Sequence, residues 1–325
     1  MVQEIQKLKE DASITINGLL EDIDIEKARI IETEAKKDKF IAEHLAKIDK
    51  ILKTININHS EEWKNVYSLF SECIVYIELR SCVSISRREE RAAEGLKTSD
   101  FYIDYDSEVI YAEYKALLRA GGDLNYVDMT LRGLENAIYV EEQEKAGEKI
   151  IITEYVHKPF DKGGRGYDPR SLVQKTEIII DKIENNYKDE QYEDGKTILI
   201  VDLTQLYKTD DYKYSLVPAY YDAAHKCVVS GFLWYSMYGE DGMLLFRYSD
   251  FPGASNIDGI LKKNGFFVRH KKVQAVLFRT CDLAGNSHYA SLINEKCDQN
   301  IQRMLYRITT KINDYRNEGY YQLFI

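Results

Sequence analysis

The segment Thr98-Ser99-Asp100-Phe101-Tyr102-Ile103-Asp104-Tyr105-Asp106-Ser107-Glu108-Val109-Ile110-Tyr111-Ala112-Glu113-Tyr114-Lys115 decides how the chain is read. Two runs rich in aromatic and β-branched residues flank the polar pair Asp106-Ser107, the pattern of a β-hairpin with a two-residue turn. Such a turn sets Tyr105 opposite Glu108, and counting outward sets Asp100 opposite Glu113. Side chains alternate faces along a strand, so Asp100, Glu113 and Lys115 project from one face at one end. Directly opposed residues hold their Cβ atoms about 4.5–5.5 Å apart. Two carboxylates at that spacing repel each other, and a hard divalent cation, Mg²⁺ or Mn²⁺, is a natural compensator. Asp104 is a built-in control: in the same register it pairs near Val109, roughly 13 Å from Glu113 along the return strand.

Asp100, followed on the return strand by Glu113-Tyr114-Lys115, resembles the catalytic signature of the PD-(D/E)XK nuclease superfamily, the restriction-endonuclease-like enzymes. Ser99 stands where the family's proline usually precedes the aspartate. The resemblance implies a Mg²⁺-dependent nuclease in which Asp100 and Glu113 hold the metal and Lys115 orients or deprotonates the attacking water. It also implies a metal-binding acid from the helix before the hairpin. Glu78 is the first candidate and Glu72 the second, and helical phase alone leaves open whether either serves. Gln174 matches in place a glutamine that exonuclease-like members carry near the start of the second core helix, although Ile178 occupies their aromatic position four residues on. DNA before RNA is the implied substrate, and a restriction or phage-defence role is an expectation from the family alone.

The flanking elements follow the order that the resemblance requires. A helix carrying Trp63, Val66, Phe70, Cys73, Ile74 and Ile77 on one side leads toward the motif, with Arg80, Arg87, Arg88 and Arg91 trailing and Gly95 ending it. After Gly121-Gly122 come a helix from about Tyr126 to Glu144 and a strand over 149–155. The loop 158–170 is rich in glycine and positive charge. Its Lys162, Arg165 and Arg170, with Lys175 just beyond, are candidate contacts to a phosphate backbone. It lacks the Gly-Lys-Ser/Thr ending of a P-loop. A helix over 171–187 and a buried strand over 197–203 complete the series.

From residue 60 the order is therefore helix, strand, strand, strand, helix, strand. The expected fold class is mixed α/β (α+β), a restriction-endonuclease-like αβββαβ core with an insertion at about 117–147. An N-terminal helical arm over 1–57 precedes the nuclease domain of 58–325, whose C-terminal extension mixes sheet and helix. In that extension strands are expected at 228–235, 244–248 and 273–278, and a final helix from about His288 to Tyr315.

Composition bounds the alternatives. Hydrophobic residues at 44% and charged residues at 30% are those of a soluble globular protein, without a membrane-spanning run or a signal-peptide layout, which points to the cytoplasm. A net charge of -10 argues against broad sliding on DNA, while leaving room for a local basic cleft. The five cysteines and six histidines are scattered, without zinc spacing. In the arm, Ile41, Leu45, Ile48, Leu52 and Ile55 alternate steps of four and three, the spacing of a coiled-coil seam. That seam would serve a homo-oligomer or a partner protein, or pack on its own domain. The competing functional reading is a non-catalytic scaffold or regulatory subunit that docks a partner through these helices, with the Asp100 and Glu113 carboxylates and Lys115 as a structural ion pair at a strand end.

Overall fold

The computed structural model describes residues 1–10, 18–55, 60–88, 99–118, 138–147, 171–185, 187–192, 195–206, 212–223, 226–248, 256–309 and 311–313. They fall into two compact units, Met1–Ile74 with Leu118–Arg165, and Val75–Leu117 with Gly166–Ile325. The expected strand at 149–155 and the basic loop with Lys162, Arg165 and Arg170 lie outside the described residues. Among the described residues no helix is long and apolar enough to cross a membrane.

The first unit is helical: α1 Val2–Glu10, α2 Gly18–Glu21, α3 Ile25–Glu34, α4 Lys39–Leu52, the start of α5 Ser60–Arg80, and α6 over 138–145. The sequence from about Glu26 to Ile55 reads as one helix from its apolar and charged pattern, and the structure breaks that stretch in two. Asp38 is extended, at φ -129 and ψ 119, and its carboxylate accepts from the N–H groups of Phe40 and Ile41, so it caps a new helix. Ile41, Ile48 and Leu52 of the seam are buried within this chain.

The second unit is built on a seven-stranded mixed sheet. In chain order the strands are β1 Ser84–Arg87, β2 Phe101–Tyr105, β3 Glu108–Ala116, β4 Thr197–Asp202, β5 Ala219–Asp222, β6 Cys227–Ser230, β7 Leu244–Arg247, β8 Asn256–Ile260, β9 Ala275–Cys281, β10 Ser287–Ile293 and β11 Lys311–Asn313. The sheet order is β1-β2-β3-β4-β9-β10-β11, while β5-β6 and β7-β8 form two separate ribbons. The β1–β2 and β2–β3 pairs are antiparallel, and β3, β4 and β9 run parallel. β4 and β9 are buried along their whole length, as expected of central parallel strands covered on both faces. Helices α7 Leu172–Glu184, α8 Phe232–Tyr238, α9 Phe266–Arg269 and α10 Gln299–Ile308 belong to the same unit.

The hairpin has the expected register. Tyr105 pairs with Glu108, Asp104 with Val109 and Phe101 with Ala112. Asp106 and Ser107 both adopt positive φ, 48° and 65°, as a type I′ turn demands. A serine is strained there where glycine is not. Ser107→Gly should therefore raise stability modestly in urea unfolding, since the left-handed backbone costs a non-glycine residue about 1–2 kcal/mol and the added chain entropy of glycine takes back only about 0.5–1 kcal/mol of that relief.

Three expected elements are corrected. The strand before the hairpin, β1, was read as the tail of a helix, yet α5 ends at Arg80 and Ile85 is buried opposite Ile103. The expected strand at 228–235 stops at Ser230, because Gly231 opens α8. A Cβ at Gly231 would lie 2.0 Å from the Val217 carbonyl oxygen, so only glycine allows this approach. The helix expected from His288 is instead β10, hydrogen-bonded to β9, followed by α10 with Asp298 as its N-cap.

Candidate functional site

One step beyond the Phe101–Ala112 pair, Asp100 stands across from Glu113. Its carboxylate is fixed, because Oδ2 accepts the Tyr114 N–H at 2.8 Å. On its other side the Arg88 N–H donates to the Asp100 carbonyl at 2.9 Å, continuing the β1–β2 ladder. Arg88, Asp100, Glu113 and Leu199 thus form one row across β1, β2, β3 and β4. The Arg88 guanidinium lies 4.5 Å from the centre of the Tyr111 ring and donates to Ser99 Oγ. It supplies positive charge one strand away from the acids, a placement hidden in the sequence by the missed strand.

Glu113 is 1% exposed, and its two oxygens are treated unequally. Oε1 accepts from Lys115 Nζ and from Gln191 Nε2, the latter at 2.7 Å. Oε2 is buried without a hydrogen-bond partner. Burial pushes the Glu113 carboxyl above its ordinary value, and Lys115, Gln191 and Asp100 oppose that push without cancelling it. A buried acceptor with nothing to accept costs about 1–3 kcal/mol, so Oε2 is the atom of this carboxylate that could take a cation or a water. Asp100 and Glu113 with the Lys115 ammonium give the cluster a formal negative excess, which also suits a cation. Mg²⁺ is commonly held by one or two carboxylates and retains several waters. A pair of acids fits that habit, and among the described residues no group of three or more His, Cys, Asp or Glu side chains is arranged as a ready-made cage.

The two glutamates of α5 have other partners. Glu72 Oε2 lies 3.3 Å from His44 Nε2 in the first unit. Glu78 accepts from Arg279 Nε at 2.9 Å, Arg279 Nη2 at 3.2 Å, Ser287 Oγ at 2.8 Å and Tyr289 OH at 2.6 Å. A carboxylate offers about four acceptor positions, so these donors use up what Glu78 has. Arg279 also donates to Asp202 Oδ2 at 2.8 Å, and Tyr114 OH reaches the same oxygen at 3.3 Å. Tyr114 therefore ties two groups together, through its N–H to Asp100 and through its hydroxyl to the Asp202–Arg279 pair.

Gln174 and Lys175 lie in the first turn of α7, where the Gln174 N–H donates to the capping Ser171 Oγ at 3.2 Å. The end of α7 that would otherwise attract a phosphate is already filled. Asp258 of β8 accepts from the Val173 N–H at 2.7 Å and from Ser171 Oγ at 3.0 Å. The amide that meets Glu113 comes from Gln191, in the short 3-10 helix Asp189–Tyr192 after α7. Its sequence neighbourhood is polar, and in the structure Tyr187 and Tyr192 anchor it. Their rings stack at 4.7 Å, and Tyr187 also packs on His270 at 3.9 Å. No family model, curated protein or solved structure matches the chain.

Proposed function

We propose that the chain is a Mg²⁺- or Mn²⁺-dependent nuclease with a restriction-endonuclease-like core, hydrolysing phosphodiester bonds of nucleic acid, DNA before RNA. The observation that carries the reading is the pair Asp100 and Glu113, converging across a hairpin with a buried, unpartnered carboxylate oxygen and a lysine beside it. The element order supports it. α5, three antiparallel strands, α7, and β4 laid parallel to β3 form an αβββαβ series around the motif.

Asp100 and Glu113 would hold the ion, which when bound stabilises charge on the scissile phosphate and acidifies a water. Lys115, 20% exposed, stands between the buried carboxylate and solvent, where it can orient the attacking water. Arg88 extends the row as a contact for a neighbouring phosphate. The side chains face one side of the sheet, so the opposite side can be given wholly to packing.

Supercoiled plasmid incubated with the purified full chain and Mg²⁺ should be cut. Asp100→Ala and Lys115→Ala should each reduce the rate by about 10²–10⁴-fold, the range for losing a group that acts in the transition state. Asp104→Ala, in the same hairpin but away from the acid pair, should cut as the wild type does. Cleavage that survives both substitutions, or persists in excess EDTA, sinks the proposal, as does a wild-type chain that cuts neither DNA nor RNA.

A further inference from the structure

We infer that Gln191 is a positioning residue of the metal site, a role that rests on the nuclease reading. Its Nε2 is committed to Glu113 Oε1 at 2.7 Å, which fixes the plane of the amide. That bond also fixes the carboxylate. With Oε1 held by Gln191 and Lys115 together, Glu113 presents Oε2 in one direction. Lys115 is the less permanent holder, because the same ammonium that holds Oε1 is the group that would orient the attacking water, whereas Gln191 Nε2 is committed to Glu113. When Lys115 turns to that water, Gln191 keeps Glu113 in place.

The other end of the amide has its own function. Gln191 is 7% exposed, and its Oε1 is buried with no donor. The neighbouring Tyr192, 2% exposed, likewise has a buried hydroxyl without a partner. Gln191 Oε1 and Tyr192 OH, on one short segment, and Oε2 of the glutamate that Gln191 holds are thus three buried polar atoms without a hydrogen-bond partner. Two of them are acceptors only, and a hydroxyl can accept or donate. A water has two hydrogens to give and two lone pairs, so water held with the cation matches what these groups lack. Gln191 Oε1 accepts from such a water and so fixes its orientation as well as that of the carboxylate.

The test measures Mn²⁺ binding by calorimetry, and cleavage at saturating Mn²⁺, for the full chain and for Gln191→Met and Gln191→Asn. Methionine keeps the volume and removes the amide. Asparagine keeps the amide and withdraws it by one methylene, so it tests reach if the first variant fails to fold. Both variants should bind Mn²⁺ about 10- to 100-fold more weakly, the usual effect of losing a group that orients a metal ligand. At saturating Mn²⁺ their kcat should stay below wild type, because the water remains misplaced after the ion has returned. The melting temperature without metal should change little, which separates positioning from a packing role. Either folded variant binding Mn²⁺ and turning over like wild type overturns the inference and leaves the nuclease reading intact. A wild-type chain that binds no Mn²⁺ overturns both.

Discussion

Arg279→Met is expected to destabilise the folded chain by about 3–5 kcal/mol in urea unfolding, enough to leave a large fraction unfolded in a domain of ordinary stability. The Arg279 side chain is 4% exposed and donates to Glu78, Asp202 and Ser287. Removing it leaves Glu78 and Asp202 with neutral hydrogen-bond donors and without the charge that Arg279 supplies. Burial works against the charge of Arg279, but Asp202 and Glu78 overcome that and raise its pKa well above the ordinary value. Glu78 shows the complementary effect. Burial pushes its carboxyl up, yet the charge of Arg279 and hydrogen bonds from Arg279, Tyr289 and Ser287 hold it below the ordinary 4.5. A carboxyl with a lowered folded pKa contributes stability that is present above the unfolded value and lost as pH falls through the folded one. The stability gap between wild type and Glu78→Gln should therefore be full above about pH 4.5 and close below it. Replacing Glu78, Asp202 and Arg279 together by Gln, Asn and Met should recover much of the loss, because no unpaired charge is left behind. A single Arg279→Met that unfolds at the wild-type urea concentration would show the network to be dispensable.

The parts of the fold legible in the sequence are those specified locally. The polar pair Asp106-Ser107 between β-branched and aromatic runs determined both the turn and the register, so the meeting of Asp100 and Glu113 could be counted off. β4 and β9 were legible because a strand covered on both faces reads as an unbroken apolar run. β1 was not, because Ser84-Ile85-Ser86-Arg87 buries one large apolar residue, Ile85, and its pairing comes from a partner strand beyond it. α8 misled in the opposite way: Phe232-Leu233-Trp234-Tyr235 has the composition of a strand, and its helical form follows from packing around Gly231. Leu292 is separated from Ile301 by nine residues, half a turn out of phase on a helix, and that break in the stripe marks β10 as separate from the helix that Asp298 caps. Within the site, the two acids and the lysine were readable from alternation alone. Gln191 was not, since its contact with Glu113 spans 78 residues and nothing in a polar segment marks one amide as buried. Glu78 was visible as an acid on α5, but its partners, Arg279, Ser287 and Tyr289, come from β9 and β10, far along the chain.

Glu113→Gln should have opposite effects on stability and on function. Its carboxyl is raised by burial beyond what Lys115, Gln191 and Asp100 offset. The folded chain then binds that proton more tightly than the unfolded chain does. The cost of ionising Glu113 in the folded chain is therefore full above its folded pKa, shrinks as pH falls below it, and is gone below the ordinary value of about 4.5. Glutamine has no proton to lose. Its carbonyl oxygen can accept from Lys115 and Gln191 as Oε1 does, and its NH₂ group, in place of the unpartnered Oε2, can donate toward Asp100. The metal-free variant should melt at or above the wild-type temperature at neutral pH, with the difference shrinking as the pH is lowered. Metal should separate the two chains in the other direction. A ligand at 100 times its Kd stabilises the native state by about 2.7 kcal/mol, so Mn²⁺ should raise the wild-type melting temperature and leave that of Glu113→Gln where it was. Cleavage should fall with it, and by more than the 10- to 100-fold typical of a group that merely supports a ligand. The two melting curves, with and without Mn²⁺, decide between a metal ligand and an ion pair with Lys115. A variant that melts lower without metal and still responds to Mn²⁺ would make Glu113 a structural partner of that lysine.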